Sequence, residues 1–268
     1  MYRIHCLVNK IEQFEVLDDK DIDRIYLESP LVLENVEQFI NYRGKSLYLA
    51  CPHVFRNKDK ATLERLLDLD IFDGVLVRNM EELGYFLSDV SNLNLDIVLD
   101  SSVYILNNNS LEFINEVTNG RVNECYNSIE LNEYELNDLL NHSNNKTDIS
   151  NIIYGRYTMM ISSNCLNKTL NSCSHLAGFS NITDRKGIVF PVYNNCHFCY
   201  NVIYNSVPVS LHRFYSKLIK NGNVRLDFTI EDRNSVKTIF EYFNNLYGKD
   251  IKPPYKEYTN GLFLRGVE

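Results

Sequence analysis

The stretch 46–77, SLYLACPHVFRNKDKATLERLLDLDIFDGVLV, contains the pattern that decides the fold. It opens with an apolar run, Ser46–Cys51, and closes with a second one, Gly74–Val77. Between them, residues 61–69 (ATLERLLDL) place apolar side chains three and four positions apart, which is the spacing of a helix with one apolar face. An apolar run, a helix and a second apolar run are typical of the strand–helix–strand unit of a parallel sheet.

The same alternation extends along the whole chain and predicts an α/β fold. With the two runs above, the strand candidates number eight, which is the number that closes a (β/α)8 barrel of roughly 250 residues. An open doubly wound sheet is the alternative, but no glycine-rich phosphate loop supports it. We therefore predict a single TIM-type barrel domain over residues 1–268, regular or irregular. The other strand candidates are Ile4–Val8, Arg24–Glu28, Asp96–Leu99, Arg121–Cys125, Ile152–Ile161 and Val224–Ile230.

Composition places the chain among globular proteins. Of its 268 residues, 44% are hydrophobic and 23% are charged, and the formal net charge is −8. That charge opposes unaided binding of nucleic acid, which depends on dense lysine and arginine. No apolar run is long enough to span a bilayer, and the first ten residues lack the apolar region of a signal peptide. We expect a cytoplasmic protein with no membrane association.

A segment at residues 162–208 interrupts the strand–helix rhythm after the seventh strand candidate. It contains Cys165, Cys173, Cys196 and Cys199, which are four of the seven cysteines of the chain. In a barrel, a segment that follows a strand lies on the face where active sites are found. We predict a cysteine-rich insertion within the barrel domain, on the side where chemistry is expected.

The cysteine spacing, C-x7-C-x22-C-x2-C, is suited to a metal site. Thiolates favour zinc or iron–sulfur clusters, and both take four ligands. His175 or His197 could replace one thiol of a zinc site. The spacing alone favours zinc, while an odd cysteine count argues against a disulfide framework. The alternative is that the cysteines are small buried hydrophobic residues, as we expect for Cys6, Cys51 and Cys125.

Three stretches resemble the peptidase U32 family, the collagenase-like proteins. They are YGRYTMMISSNCLNKTLNSC (154–173), DRKGIVFPV (184–192) and CHFCYNVIYNSVPVSL (196–211), and the closing YTNGLFLRGVE is similar to that family's C-terminus. The resemblance is to the C-terminal portion of long bacterial members. It implies a barrel-type fold, a 4Fe-4S cluster, and oxygen-independent hydroxylation of tRNA or rRNA bases or of a small aromatic quinone precursor.

The resemblance also implies which residues hold the cluster. Cys165, Cys173, Cys196 and Cys199 match the cysteine positions of the long members, so the resemblance favours an iron–sulfur cluster over zinc. A peptidase is the alternative activity that the family name implies. No Ser/His/Asp arrangement and no H-E-x-x-H motif in the sequence supports it.

Several positions depart from the family pattern. Ser150 stands where the better-known signature has Glu, and Thr158 stands where it has Cys. In the tail, Asn260, Leu262 and Leu264 replace an Arg, a His and a Lys. These departures favour a third hypothesis, in which the chain is a non-catalytic, metal-stabilised partner of a larger U32-family subunit.

No residue is assigned as catalytic, but several polar side chains are candidates for substrate binding. A guanidinium group suits a carboxylate or a phosphate, and polar residues at strand ends of a barrel often contact ligands. Helix capping is the competing explanation for Asn79. The predicted substrate-binding residues are Arg78, Asn79, Arg156, Asp184, Arg185 and Asn205. Weaker candidates are His53, Arg56, Asp227 and Glu231. RNA, a small molecule or a larger subunit is the expected partner.

Overall fold

The computed structural model describes residues 3–90, 94–142, 147–169, 173 and 175–266. Eight parallel strands form a closed barrel, because each pairs with its neighbour and the last, β13, returns to β1. The predicted (β/α)8 TIM-type barrel is therefore confirmed. Its strands are β1 (Ile4–Val8), β2 (Arg24–Glu28), β3 (Ser46–Ala50), β4 (Gly74–Val77), β5 (Asp96–Leu99), β6 (Val122–Tyr126), β7 (Asp148–Gly155) and β13 (Val224–Asp227).

A second, antiparallel sheet lies between β7 and β13 in the sequence, and we call it the lobe. Its strands are β8 (Thr158–Ser162), β9 (Gly178–Thr183), β10 (Val189–Asn195) and β11 (Tyr200–Tyr204), paired in the order β8-β11-β10-β9. A short strand, β12 (Val209–Ser210), then pairs antiparallel with the end of β7. The limits 162–208 of the insertion remain a sequence-based prediction, and the lobe sheet begins earlier, at Thr158.

The candidate strand Ile152–Ile161 is in fact parts of two strands, β7 and β8, which belong to different sheets. The chain changes direction at Gly155, whose φ is +145°. A side chain there would meet the backbone and Cβ of Asp227 at 2.7 Å, so only glycine allows β7 to lie this close to β13.

Helices surround the barrel and cover its outer face. The longest, α10, begins after Asp232, whose side chain accepts a hydrogen bond from the Ser235 amide at 2.8 Å. None of the helices in the described ranges is long and apolar enough to cross a bilayer. The helices are α1 (Ile11–Asp18), α2 (Ser29–Glu34), α3 (Val36–Phe39), α4 (Lys60–Leu67), α5 (Met80–Ser88), α6 (Asn108–Val117), α7 (Glu133–His142), α8 (Leu166–Thr169), α9 (Tyr215–Asn221) and α10 (Arg233–Leu246).

The interior of the barrel is unusually polar. Its middle layer is closed by Tyr26, Tyr48 and Tyr126 together with smaller aliphatic side chains. At the amino end of the strands, Arg24 forms an ion pair with Glu124. Because alternate residues of a strand face the same side, the interior side chains of β2 are Arg24, Tyr26 and Glu28. The interior therefore carries charged groups at both ends, and Glu28 lies at the carboxyl end.

Candidate functional site at the barrel mouth

A cavity of about 300 Å³ opens at the carboxyl ends of the barrel strands. Its barrel side is formed by Glu28, Arg78 and Asp100, and its lobe side includes Ile161 and Tyr204. This is the end of a TIM barrel where catalytic residues are found. We call it the mouth cavity.

A larger recess of about 780 Å³ lies at the opposite, amino end, around Arg24 and Glu124. None of the buried side-chain nitrogen or oxygen atoms that lack a hydrogen-bond partner in the described residues belongs to its lining. Its polar groups are thus already satisfied, and Ser150, for example, donates a hydrogen bond to Glu124. The mouth cavity is the better candidate, because three such unpartnered atoms lie in its lining residues.

Arg78 follows β4 and is held by two carboxylates, one at the end of β2 and one directly after β5. Its two terminal nitrogens donate to the carboxylate of Glu28 at 2.9 and 2.5 Å. Its Nε donates to Asp100 at 3.1 Å, and its Nη1 also donates to the carbonyl of Cys51 at 3.0 Å. The guanidinium is buried, so these contacts fix its position and neutralise its charge.

Arg225 on β13 forms the second charged group of the mouth cavity. It donates to Asp227 at 2.6 and 2.9 Å and to Asp100 at 2.8 Å, and it lies 4.1 Å from the centre of the Tyr126 ring. Burial would raise the pKa of Asp100, but Arg225 and Arg78 outweigh it and hold that pKa below its usual value. Burial raises the pKa of Asp227, and Arg225 only partly opposes this effect.

Arg156, the residue after Gly155 in the sequence, lines the mouth cavity. Its Nη1 donates to Glu231 at 2.5 Å. Glu231 also accepts a hydrogen bond from the Thr229 amide at 2.6 Å, which fixes the carboxylate in place. The break in direction at Gly155 therefore turns Arg156 toward the cavity.

His53 lies in the loop after β3, beneath the lobe. Its amide donates to the hydroxyl of Tyr200 on β11 at 3.0 Å. Burial, followed by the nearby charge of Arg78, holds the pKa of His53 well below 6.5. The imidazole is thus neutral at physiological pH and can donate through one ring nitrogen while accepting through the other.

Three buried nitrogens of the cavity lining have no hydrogen-bond partner in the described residues. They are Nδ1 of His53, Nε of Arg156 and Nη1 of Arg225. Most buried polar groups of folded proteins are hydrogen-bonded, and leaving one unpaired costs about 1–3 kcal/mol. The three residues that carry them all line one cavity, which makes the mouth cavity the candidate site.

The structure places the predicted substrate-binding residues in different parts of the molecule. Arg78 and Arg156 line the mouth cavity. Asn79 caps α5, since its side chain accepts a hydrogen bond from the Glu82 amide at 2.9 Å. Asp184 and Arg185 lie at the turn between β9 and β10, where Asp184 accepts hydrogen bonds from the turn amides.

Asn205 lies just after β11, and its side chain accepts a hydrogen bond from the Ser206 amide at 2.9 Å. It is not among the residues that line the mouth cavity. Of the weaker candidates, His53 and Asp227 line the cavity, and Glu231 supports Arg156 from behind. Arg56 instead pairs with Asp59 at 2.8 Å and donates to the carbonyl of Phe198.

Sequence reasoning missed Glu28, Asp100 and Arg225, which are half of the charged residues that line the mouth cavity. A signal was present, because each charged residue lies in or directly after a short strand that is otherwise mostly apolar: RIYLE, DIVLD and VRLD. A charge at such a position is buried, and buried charges are paired or functional.

The cysteines of the lobe lie partly together. Burial raises the pKa of the Cys196 thiol to about 11, and the neighbouring thiols of Cys173 and Cys165 contribute. The Cys199 thiol instead donates to the carbonyl of Cys196 at 3.6 Å. In the parts of the chain that the structure describes, no three or more Cys, His, Asp or Glu side chains form a group that could hold a metal ion. The four thiols supply the sulfur donors that a soft-metal site uses.

The thiols are also separated from the mouth cavity. Cys196 and Cys199 lie in the turn between β10 and β11, while Tyr204 at the other end of β11 lines the cavity. A strand rises about 3.3 Å per residue, so Tyr200 and Tyr204 are roughly 13 Å apart. None of the four cysteines lines the cavity. A metal held there would not contact a molecule in the mouth cavity directly.

The positions that depart from the U32 pattern have distinct surroundings. Ser150 faces Glu124 at the amino end of the barrel, whereas Thr158 lines the mouth cavity. In the tail, Gly261 (φ +60°) packs against Tyr157, which also lines the cavity. The tail residues Asn260, Leu262 and Leu264 are not part of the cavity lining.

Among the residues that the structure describes, one serine hydroxyl lies within hydrogen-bond distance of a histidine ring. The hydroxyl of Ser210 lies 3.0 Å from Nδ1 of His212 and 2.5 Å from the hydroxyl of Tyr255. Ser210 is fully buried, so a peptide cannot reach its hydroxyl. The pair is explained by packing of the C-terminal segment on β12.

Comparisons with family models, with curated proteins and with solved structures gave no match for this chain.

Proposed function

We propose that this chain is a barrel enzyme whose active site is the mouth cavity and whose substrate carries a small, planar, polar ring. The ring is a nucleobase of tRNA or rRNA or a small aromatic molecule. The reaction is oxygen-independent hydroxylation, as the resemblance to the U32 family implies, with the hydroxyl oxygen and the two-electron oxidant supplied by a second substrate. The observation that carries the proposal is the set of three unpartnered buried nitrogens around one cavity.

The size and lining of the mouth cavity support a ring as ligand. Its volume of about 300 Å³ is at the small end of the range for ligand sites, and a single ring with its substituents fits. Tyr104, Tyr157 and Tyr204 line it and offer aromatic surface for stacking. Carbonyl oxygens and ring nitrogens of the ligand would accept hydrogen bonds from Arg156 and Arg225.

The charges of the cavity favour an uncharged ring over an anion. Arg78 is matched by Glu28, Arg225 by Asp227, and Arg156 by Glu231. Asp100 adds a further carboxylate between the first two pairs. Because three guanidinium groups face four carboxyl groups, a carboxylate or phosphate would meet at least as much negative as positive charge and would lose its hydration.

We also propose that Cys165, Cys173, Cys196 and Cys199 hold a 4Fe-4S cluster, with zinc as the alternative. A bound iron–sulfur cluster supplies one-electron chemistry, whereas zinc would be structural.

The chain purified without oxygen is expected to be brown and to contain iron and sulfide, and Cys196→Ser should lose both. Cys6→Ser, which removes a buried thiol of the barrel, is the matched control and should keep them. Colourless wild-type protein with one tightly bound zinc would contradict the cluster.

Ligand binding to the mouth cavity is tested by isothermal titration calorimetry with three probes. Uridine and 4-hydroxybenzamide are uncharged, and 4-hydroxybenzoate has the same ring as the amide but carries a carboxylate. We expect the uncharged probes to bind and the carboxylate to bind more weakly. His53→Ala and Arg156→Met should each weaken binding roughly tenfold, because each removes about one hydrogen bond.

The control for these variants is Arg213→Met, which removes an exposed arginine outside the mouth cavity. It should bind every probe as the wild type does. Equal affinities in wild type, His53→Ala and Arg156→Met would contradict the proposed site. Peptide cleavage that survives loss of all four lobe cysteines would instead favour the peptidase.

A further inference from the structure

A second cavity lies between the lobe and the barrel, apart from the mouth cavity. Its volume is about 800 Å³, and it shares no lining residue with the mouth cavity. One wall is the lobe sheet, where the rings of Phe179 on β9 and Tyr193 on β10 have centres 4.9 Å apart. The other wall is formed by the residues that follow β1 and by α2, including Asn9 and Glu34. We call this cavity the lateral cleft.

Asn9 gives the lateral cleft a buried acceptor without a partner. The residue directly follows β1, lines the cleft and is 7% exposed. Its Nδ2 donates to the carbonyl of Phe228 at 2.8 Å, which fixes the orientation of the side-chain amide. Its Oδ1 has no hydrogen-bond partner in the described residues. A buried oxygen without a partner costs free energy, and a donor group of a ligand would remove that cost.

The charged side chains of the lateral cleft favour a cation as that donor. Oε1 of Glu34 accepts a hydrogen bond from the Ala177 amide at 2.7 Å and lies 2.8 Å from Nε2 of His197, a ring that is charged only when protonated. The Glu34 side chain is 26% exposed, so a ligand can reach the carboxylate. The lining contains two acids, Glu12 and Glu34, and one base, Lys10, which gives a formal charge of −1.

The lateral cleft already holds one ammonium group, which belongs to the protein. Nζ of Lys10 donates to the carbonyl of Ile230 at 3.0 Å and lies 5.6 Å from the centre of the Phe179 ring. It also lies 4.0 Å from the carboxylate of Glu12, which balances its charge. The cleft thus binds an ammonium group with a carbonyl, a carboxylate and an aromatic face, and these are the groups that suit such a cation.

We infer that the lateral cleft is a second ligand site, which binds a small organic ammonium ion that carries an apolar or aromatic group. An ammonium group has three donors and no acceptor, which matches Oδ1 of Asn9 and the carboxylate of Glu34. The rings of Phe179 and Tyr193 offer surface to the apolar part of the ligand. The net charge of the chain, −8, favours the approach of a cation over that of an anion.

Isothermal titration calorimetry at pH 7 with 2-phenylethylamine and 2-phenylethanol tests the inference. The two probes have the same ring and chain length, but only the amine carries a positive charge. We expect the amine to bind at least tenfold more tightly than the alcohol. Glu34→Gln and Asn9→Ala should each weaken binding of the amine roughly tenfold, because each removes about one hydrogen bond. Circular dichroism checks that both variants are folded.

Glu37→Gln is the matched control, because it removes the same charge from an exposed position of α3 that lines neither cavity. It should bind the amine as the wild type does, and excess uridine, the probe for the mouth cavity, should not displace the amine. Absence of amine binding, equal affinities for amine and alcohol, or wild-type affinity in Glu34→Gln and Asn9→Ala would each overturn the inference. Equal loss in Glu37→Gln or displacement by uridine would also overturn it.

Discussion

Replacing Arg225 with methionine is expected to lower the free energy of unfolding by about 3–5 kcal/mol, the range for breaking a buried ion pair. The side chain is 1% exposed and lies between Asp100 and Asp227. Methionine fills a similar volume but leaves the Asp227 carboxylate without its cation, while Asp100 keeps only its ion pair with Arg78. The contact with the Tyr126 ring is lost as well. Urea unfolding at neutral pH, followed by circular dichroism, measures the loss.

A double variant shows how much of the lost stability comes from the unpaired carboxylate of Asp227 and how much from lost packing of the Arg225 side chain. In the described residues, the carboxylate of Asp227 accepts hydrogen bonds only from Arg225, whereas the carboxylate of Asp100 also accepts one from Arg78. The double variant Arg225→Met/Asp227→Asn should therefore recover part of the stability. Arg213→Met, on the surface, should change the free energy of unfolding by less than about 0.5 kcal/mol. A loss below about 1 kcal/mol for Arg225→Met would show that the arginine is not a structural part of the mouth.

Replacing Glu82 with glutamine is expected to stabilise the protein at alkaline pH. Glu82 is fully buried in the first turn of α5, and burial raises its pKa from 4.5 to about 8, despite a hydrogen bond of 2.8 Å from the Arg78 amide. Its other oxygen has no partner in the described residues. The folded protein therefore holds a proton that the unfolded chain releases.

The sign of the pH dependence follows from this difference. The stability that Glu82 contributes is fully present below pH 4.5 and is lost as the pH rises through 8. Glutamine stays neutral and keeps the hydrogen bond from the Arg78 amide. Well above pH 8 the variant should be more stable than wild type by roughly 5 kcal/mol, because each unit of the pKa difference is worth about 1.4 kcal/mol.

Glu81→Gln changes the preceding, exposed residue of the same helix and should leave the pH profile of unfolding unchanged. Thermal or urea unfolding between pH 5 and 9 tests both variants. Parallel profiles for wild type and Glu82→Gln would mean that the carboxyl group does not hold a proton in the folded state.

The barrel could be predicted from sequence because most of its strands have clear limits. Ile4–Val8, Gly74–Val77 and Asp96–Leu99 are apolar runs bounded by polar or turn residues, and the structure gives the same limits. The division between β7 and β8 was missed because the apolar pattern continues through it. Only the close approach of Gly155 to Asp227 shows where the chain leaves the barrel, and that contact joins residues far apart in sequence.

The candidate site was harder to predict than the fold. Parallel strands are buried on both faces, so the apolar pattern does not show which side chains face the interior. Arg225 and Asp227 alternate with apolar residues in VRLD, and only the closed barrel shows that both face inward toward Asp100. Arg78 was predicted because a polar residue directly after a barrel strand lies at the carboxyl end of the strands, where ligands bind. The lobe cysteines stood out by spacing, but their distance from the mouth cavity depends on the length of β11.

The most direct measurement is a crystal structure of the chain with bound uridine or 4-hydroxybenzamide. We expect the ring in the mouth cavity, with its polar atoms within hydrogen-bond distance of His53 Nδ1, Arg156 Nε and Arg225 Nη1. A ring bound elsewhere, or crystals in which these three nitrogens are all paired with protein groups and the cavity is closed, would contradict the account.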